Sequence, residues 1–262
     1  MKRTLMIIAL LGYCTPINSF WESFSWLQSG KEEVISLNKK TPENCSLKIK
    51  NKKGNITVKT WNKQKIIVEA CKKGTEKVLK NALVELSVTK KTATLETTHI
   101  EDKNICNVNY TVLIPATLDT LFIQTEAGNI EVKNINGKLT AQTGQGNIDL
   151  ININGPLKTT TENGTITIST QELHSNHSIL AVTKKGNVSV TLPEKVSASL
   201  QATTTKGKIN SEHTVTLQPR TMKINKQTVA QMGKELFCTL GSGSGPSLKF
   251  HTGKGNINFI TS

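Results

Sequence analysis

Short runs of alternating apolar and polar residues recur along the chain, and a Gly-x-Ile/Val step interrupts each of them. The step appears as Gly54-Asn55-Ile56, Gly128-Asn129-Ile130, Gly146-Asn147-Ile148, Gly164-Thr165-Ile166, Gly186-Asn187-Val188, Gly207-Lys208-Ile209 and Gly255-Asn256-Ile257. Seven residues before each glycine stands Leu47, Leu121, Leu139, Leu157, Ile179, Leu200 or Leu248. Four residues after it stands Val58, Val132, Leu150, Ile168, Val190 or Phe259, with Ser211 as the exception. Alternation such as Leu121-x-Ile123-x-Thr125 puts one parity on one face, the period of a half-buried strand. Each copy therefore predicts a strand, a tight turn and a second strand. Glycine supplies the positive φ of the turn, and the following asparagine tolerates the same region. Asn136-Gly137 and Asn154-Gly155 predict a second corner in the central copies.

The central glycines are 18, 18, 22 and 21 residues apart. A unit that short cannot bury a face by itself, so the units must stack, one rung per coil, as an all-β β-helix or β-solenoid. A propeller blade needs roughly 40 residues and does not fit this period. The outer gaps of 74 and 48 residues are near four and two units of comparable length. They predict degenerate coils at 59–120, with runs such as Lys65–Ala70, Leu83–Val88 and Asn107–Ile114, and an insertion at 212–246 containing Leu236–Leu240. Thr125, Thr143, Thr161, Thr183, Thr204 and Thr252 each precede a column glycine by three residues. Stacked in register, they predict a ladder of hydroxyls bonded along the axis, and the column asparagines a partial second ladder.

Composition agrees with strands: 35 threonines, 18 glycines and 4% aromatic residues leave a core of small branched side chains. The net charge is +14, but Arg3 and Arg220 are the only arginines and the lysines are dispersed. Nucleic-acid recognition favours arginine forks and charge interleaved with aromatics, so this balance reads as a solvated lysine surface rather than a nucleic-acid site.

Lys2-Arg3, the apolar run Leu5–Tyr13 and the polar stretch Cys14–Ser19 have the order of a secretory signal peptide over 1–19. The apolar run is about half of the roughly 20 residues that span a bilayer. Cleavage after Cys14 or after Ser19 both fit. Leu11-Gly12-Tyr13-Cys14 brushes a lipobox, although Tyr13 stands where a small residue is wanted. Removal of 1–19 lowers the charge to +12, because Lys2 and Arg3 leave and no acid does. The segment 20–44 opens with Phe20, Trp21, Phe24, Trp26 and Leu27 and is a candidate cap, ahead of a β-helix domain at 45–262. Cys45, Cys71, Cys106 and Cys238 allow three disulfide schemes or free thiols, and they lack the spacing of a zinc site.

These coils, from Asn109-Tyr110-Thr111-Val112-Leu113-Ile114-Pro115 and Leu121–Val132 through Val188–Pro193 to Leu248–Phe259, resemble the putative-adhesin family of β-helix proteins, a domain of unknown function with repeated T-x-x-G-N-I coils. The resemblance implies a single-stranded, right-handed β-helix with an envelope or surface location, and it transfers no catalytic residue.

Enzymatic β-helices cluster carboxylates on neighbouring coils. Glu131 and Asp149 both lie three residues after a column glycine and are the candidate pair, but Thr167 and Ser189 follow them in that column. Glu172, His174 and His177 form a weak metal pattern that reads as a solvated loop. Gly241-Ser242-Gly243-Ser244-Gly245 is neither a phosphate loop nor a nucleophile elbow and reads as a connector. No catalytic, metal or cofactor residue is assigned, and no cofactor is expected. The sequence points to an exported, non-catalytic protein that meets an envelope polysaccharide or another surface protein. A carbohydrate-active enzyme and an electrostatic binder of anionic envelope polymers are the alternatives.

Overall fold

The computed structural model describes residues 30–116, 118–218 and 234–262. The signal segment, the aromatic run 20–29 and the middle of the predicted insertion lie outside them. The chain enters with β1 (Lys31–Lys40), β2 (Ser46–Lys53), β3 (Ile56–Trp61) and β4 (Lys65–Gly74), then the one-turn helix α1 (Glu76–Asn81), β5 (Ala82–Thr89), β6 (Thr92–His99) and β7 (Asn107–Pro115). The regular part follows as β8 (Thr120–Ala127), β9 (Ile130–Asn136), β10 (Lys138–Gln145), β11 (Ile148–Asn154), β12 (Leu157–Asn163), β13 (Ile166–Ser169), β14 (Ile179–Lys185) and β15 (Val188–Leu192). It ends with β16 (Ala198–Lys206), β17 (Ile209–Ser211), β18 (Val215–Leu217), β19 (Glu235–Leu240), β20 (Ser247–Lys254) and β21 (Ile257–Thr261).

The fold is all-β and solenoid-like: each coil gives one strand to each of two large sheets. The Gly-x-Ile/Val step is the corner between them. Neighbouring coils pair in parallel, Leu139 beside Leu157 and Thr143 beside Thr161 in one sheet, Ile148 beside Ile166 in the other. The core is the space between the two inner faces. Leu139, Ala141, Ile148 and Leu150 of one coil are all fully buried, and a large aliphatic side chain so placed stabilises by roughly 1.5–3 kcal/mol.

Spatial order departs from chain order at both ends. The coil β6/β7 lies outside β2/β3, so β2 pairs directly with β8 and β3 with β9. At the other end the last coil, β20/β21, lies between β14/β15 and β16/β17. The long gaps in glycine spacing therefore do not hold coils between the column glycines. Gly54 lies against Gly128, and Gly255 against Gly186, as close as backbone allows. Within 59–120, β6 and β7 continue the parallel ladder, whereas β4 and β5 pair antiparallel with β7 and β6. The described part of 20–44 contains β1, which runs antiparallel along β4. In 212–246, β19 pairs antiparallel with both β16 and β18.

At the first end Lys72 is buried. Its ammonium donates to the carbonyls of Leu79 (2.9 Å) and Ala82 (3.2 Å), where α1 ends, and lies 3.0 Å from the Glu33 carboxylate. Glu76, at the start of α1, is held by Lys31 and Lys80, which lower its pKa to about 2.

Candidate functional site

The repeated polar residues converge on one peptide unit per coil. At each corner the peptide joining the column glycine to the next residue has left the strand ladder. Its C=O accepts the threonine hydroxyl of the neighbouring coil: Thr143 donates to Gly128 (2.9 Å), Thr161 to Gly146 (3.1 Å), Thr183 to Gly164 (3.0 Å) and Thr252 to Gly186 (2.8 Å). Its N–H donates to the asparagine Oδ1 of the coil on the other side, as Asn129 does to Asn55 (2.9 Å) and Asn147 to Asn129 (2.8 Å). The expected ladder of hydroxyls bonded to one another is thus corrected. The threonine side chains are buried, a buried hydroxyl must be satisfied, and the carbonyl freed from the ladder is its acceptor.

The glycine is required at this point. Gly146 has φ +148°, and a Cβ there would stand 2.1 Å from the carbonyl oxygen of Gly128. The exceptions follow the same logic. Where threonine is missing, at Asn51, the side-chain amide donates to Val108 O at 2.7 Å. Thr165 stands in the asparagine column, and among the described residues no side chain accepts from the N–H of Asn187.

The candidate acids do come together, Glu131 and Asp149 being register partners on adjacent strands. Lys133 pairs with Glu131 at 2.5 Å and holds its carboxyl below the usual range, the opposite of what a general acid needs. Thr57 and Thr167 flank the pair in register. His174 lies 3.4 Å from Glu172 and edge-on to His177, and burial pushes the His177 imidazole down. Among the described residues no three His, Cys, Asp or Glu side chains are grouped to hold a metal. Among the described residues Cys45, Cys71, Cys106 and Cys238 are free thiols. Burial raises the pKa of Cys45, Cys106 and Cys238, and burial together with the Glu32 carboxylate raises that of Cys71, so none is an activated thiolate.

Two concave places lie on the later coils. One, of about 700 Å³, is bordered by Glu194, Lys195, Ser197, Glu212 and His213. Its Glu212 carboxylate accepts the N–H of Thr261 and its His213 ring meets Ile260 O, so both serve the chain's own backbone. The connector Gly241–Gly245 reaches its rim through Gly241, and Ser242 bonds to Ser197 and Ser244 at 2.7 Å. The other, of about 200 Å³, is a groove on the outer face of β14, β20 and β16, lined by Leu180, Gln201, Thr203, Lys249, Phe250 and His251. Beside it Lys185, Lys254 and Lys206 follow one another in register at the corner. Each directly precedes a column glycine, the signal by which they are legible in the sequence.

No helix among the described residues is long and apolar enough to cross a membrane. A family model described as Toastrack DUF4097 matches residues 17–235. No curated protein matches the chain in sequence. Among solved structures, one described as a putative cell adhesion protein from Clostridium sporogenes is 16% identical, with a TM-score of 0.53, covering 89% of this chain and all of that one. Another, described as a putative adhesin from Bacteroides fragilis, is 14% identical with a TM-score of 0.35, covering 88% of this chain and 97% of that one.

Proposed function

The chain belongs to the Toastrack DUF4097 family, and from that premise we propose that it is an exported, non-catalytic interaction protein of the cell envelope, built as a single-stranded, right-handed β-helix. One observation carries the reading: the polar columns that recur coil after coil are consumed by the corner peptides. What remains on the outer faces is largely hydroxyl, amide and lysine side chains, with scattered acids and apolar residues such as Glu131, Asp149 and Ile151. Such a surface suits adhesion and not bond cleavage, for which a nucleophile or an acid–base pair must converge. Of the candidate acids, Glu131 is tied to Lys133. The order of charge, apolar run and polar stretch over 1–19 supports export. The solved neighbour described as a putative cell adhesion protein agrees with the reading, and its contribution is the fold. The partner class is an envelope polysaccharide or another surface protein.

The test is expression of the full chain in an envelope-bearing bacterial host, followed by fractionation and mass spectrometry of the N-terminus. The processed protein is then titrated against purified envelope fractions. The expected result is removal of 1–19 or of 1–14, recovery outside the cytoplasm, and saturable retention on one fraction. An unprocessed cytoplasmic protein overturns export. Turnover of an envelope polymer that Glu131→Gln with Asp149→Asn abolishes overturns the non-catalytic reading.

A further inference from the structure

We infer that the corner of the coils β14/β15, β20/β21 and β16/β17, with the groove beside it, binds an acidic polysaccharide lying along the solenoid axis. The inference rests on the reading of the protein as an envelope interaction protein and names the partner and the place.

Lys185, Lys254 and Lys206 occupy one register position on three consecutive strands, and Lys208 follows across Gly207. All four are exposed. None has a carboxylate partner in any ion pair among the described residues, whereas Lys52, Lys133 and Lys184 each do. Neighbouring strands lie about 4.8 Å apart, and like charges directly opposite one another destabilise a sheet. The fold does not need lysine there, because the same position in the three preceding coils holds Asn163, Gln145 and Ala127. The lysine backbones are pinned: Lys185, Lys254 and Lys206 accept the N–H groups of Gly164, Gly186 and Gly255 at 2.9–3.0 Å. A row of cations on fixed backbone positions, with no ion-pair partner among the described residues, is complementary to a linear polyanion.

The groove specifies the anion further. It spans the same three strands, with Lys249 for charge, Gln201, Thr203 and His251 for hydroxyl groups, and Leu180 for the apolar face of a ring. Cations beside amide, hydroxyl and apolar contacts fit a charged sugar chain better than a bare phosphate chain. Lysines act as point charges without the bidentate geometry of arginine, so recognition depends on charge spacing along the polymer.

The test titrates the processed full chain with oligogalacturonate of ten residues, with inorganic polyphosphate of equal charge and with vesicles of one-third anionic lipid as competing arms. The expected result is tightest binding of the oligogalacturonate, weakening steeply between 50 and 200 mM salt. The triple variant Lys185→Gln, Lys206→Gln, Lys254→Gln should weaken it about tenfold or more, and Lys249→Gln severalfold. The corresponding lysine-to-arginine triple keeps binding and shows that charge, not folding, was lost. A control triple of equal net charge at the other end of the stack, Lys53→Gln, Lys59→Gln, Lys103→Gln, should change it less than twofold. Equal loss in both glutamine triples, tighter binding of polyphosphate or vesicles, or no binding at low salt overturns the inference. If the corner triple still adheres to envelope fractions as the parent does, the inference fails while the proposed function stands.

Discussion

At the scale of single residues, one peptide per coil explains three columns that look independent in the sequence. The Gly146–Asn147 peptide needs glycine for its φ, threonine at 161 for its carbonyl and asparagine at 129 for its N–H. Thr161→Val keeps the volume, removes the hydroxyl and leaves the part-buried Gly146 carbonyl without its partner. The expected loss is about 1–3 kcal/mol in urea unfolding, and Thr161→Ser should recover most of it. A variant no less stable than the parent refutes the role given to the hydroxyl. The opposite sign is expected where the pattern is incomplete. Thr165→Asn supplies an Oδ1 for the N–H of Asn187 and should stabilise by roughly 0.5–1 kcal/mol, visible as a higher melting temperature. The buried Tyr110 hydroxyl bonds to Thr97, and burial pushes its pKa up to about 12. The folded pKa thus lies above the ordinary value of about 10. The stability held by the neutral phenol is complete below pH ~10 and is lost as the pH rises through 12. In paired urea titrations at pH 8 and pH 11.5, Tyr110→Phe should lose less stability on raising the pH than the parent; an identical loss argues against Tyr110 as a source of alkaline sensitivity.

At the scale of elements, the coil itself is legible in the sequence, because its corner repeats the same local chemistry seven times. Strand parity, the corner position and the outward direction of Glu131 and Asp149 follow from Leu121, Gly128 and Ile130 and their equivalents. The stacking order was not legible, because the columns encode register and carry no ordinal information. Leu200 is as compatible with Ile179 as Leu248 is, and the glycine of every coil fits against any other. The same degeneracy hid the site, since Lys185, Lys206 and Lys254 before their glycines are visible in sequence but which of them are neighbours depends on where β20/β21 inserts. A consequence can be measured. Truncation after Pro246 removes the coil between β14/β15 and β16/β17, and the two flanking coils share one register. They are expected to close on each other, with Val182 and Thr203 becoming direct neighbours in place of two strand spacings apart, the two being register partners of His251 from opposite sides. Cysteines at those two positions should form a disulfide on mild oxidation in the truncated chain and not in the full-length chain, where roughly 9.6 Å separates the strands. Oxidation in both backgrounds, or in neither, argues against closure in register.

At the scale of the whole molecule, a stack of coils in which each touches only its neighbours opens from its ends. Interleaving therefore separates position in the chain from position in the stack. The last residues, β20 and β21, have strands on both sides, whereas β17 is a three-residue edge strand paired on one side. At the other end β3 lies between β7 and β9, and β7 is followed by β4 and then by the edge strand β1. Charged and short edges are a usual means of stopping end-to-end association, and β1 with its five lysines and glutamates fits that description. Hydrogen exchange read by mass spectrometry then has a counter-intuitive expectation. Amides of 257–261, at the very end of the chain, should exchange more slowly than those of 209–211, nearly fifty residues earlier in the sequence. Amides of β3 should outlast those of β1. A chain that opened in sequence order would show the reverse, with protection falling steadily toward residue 261, and that profile would contradict the insertion of the last coil into the middle of the stack.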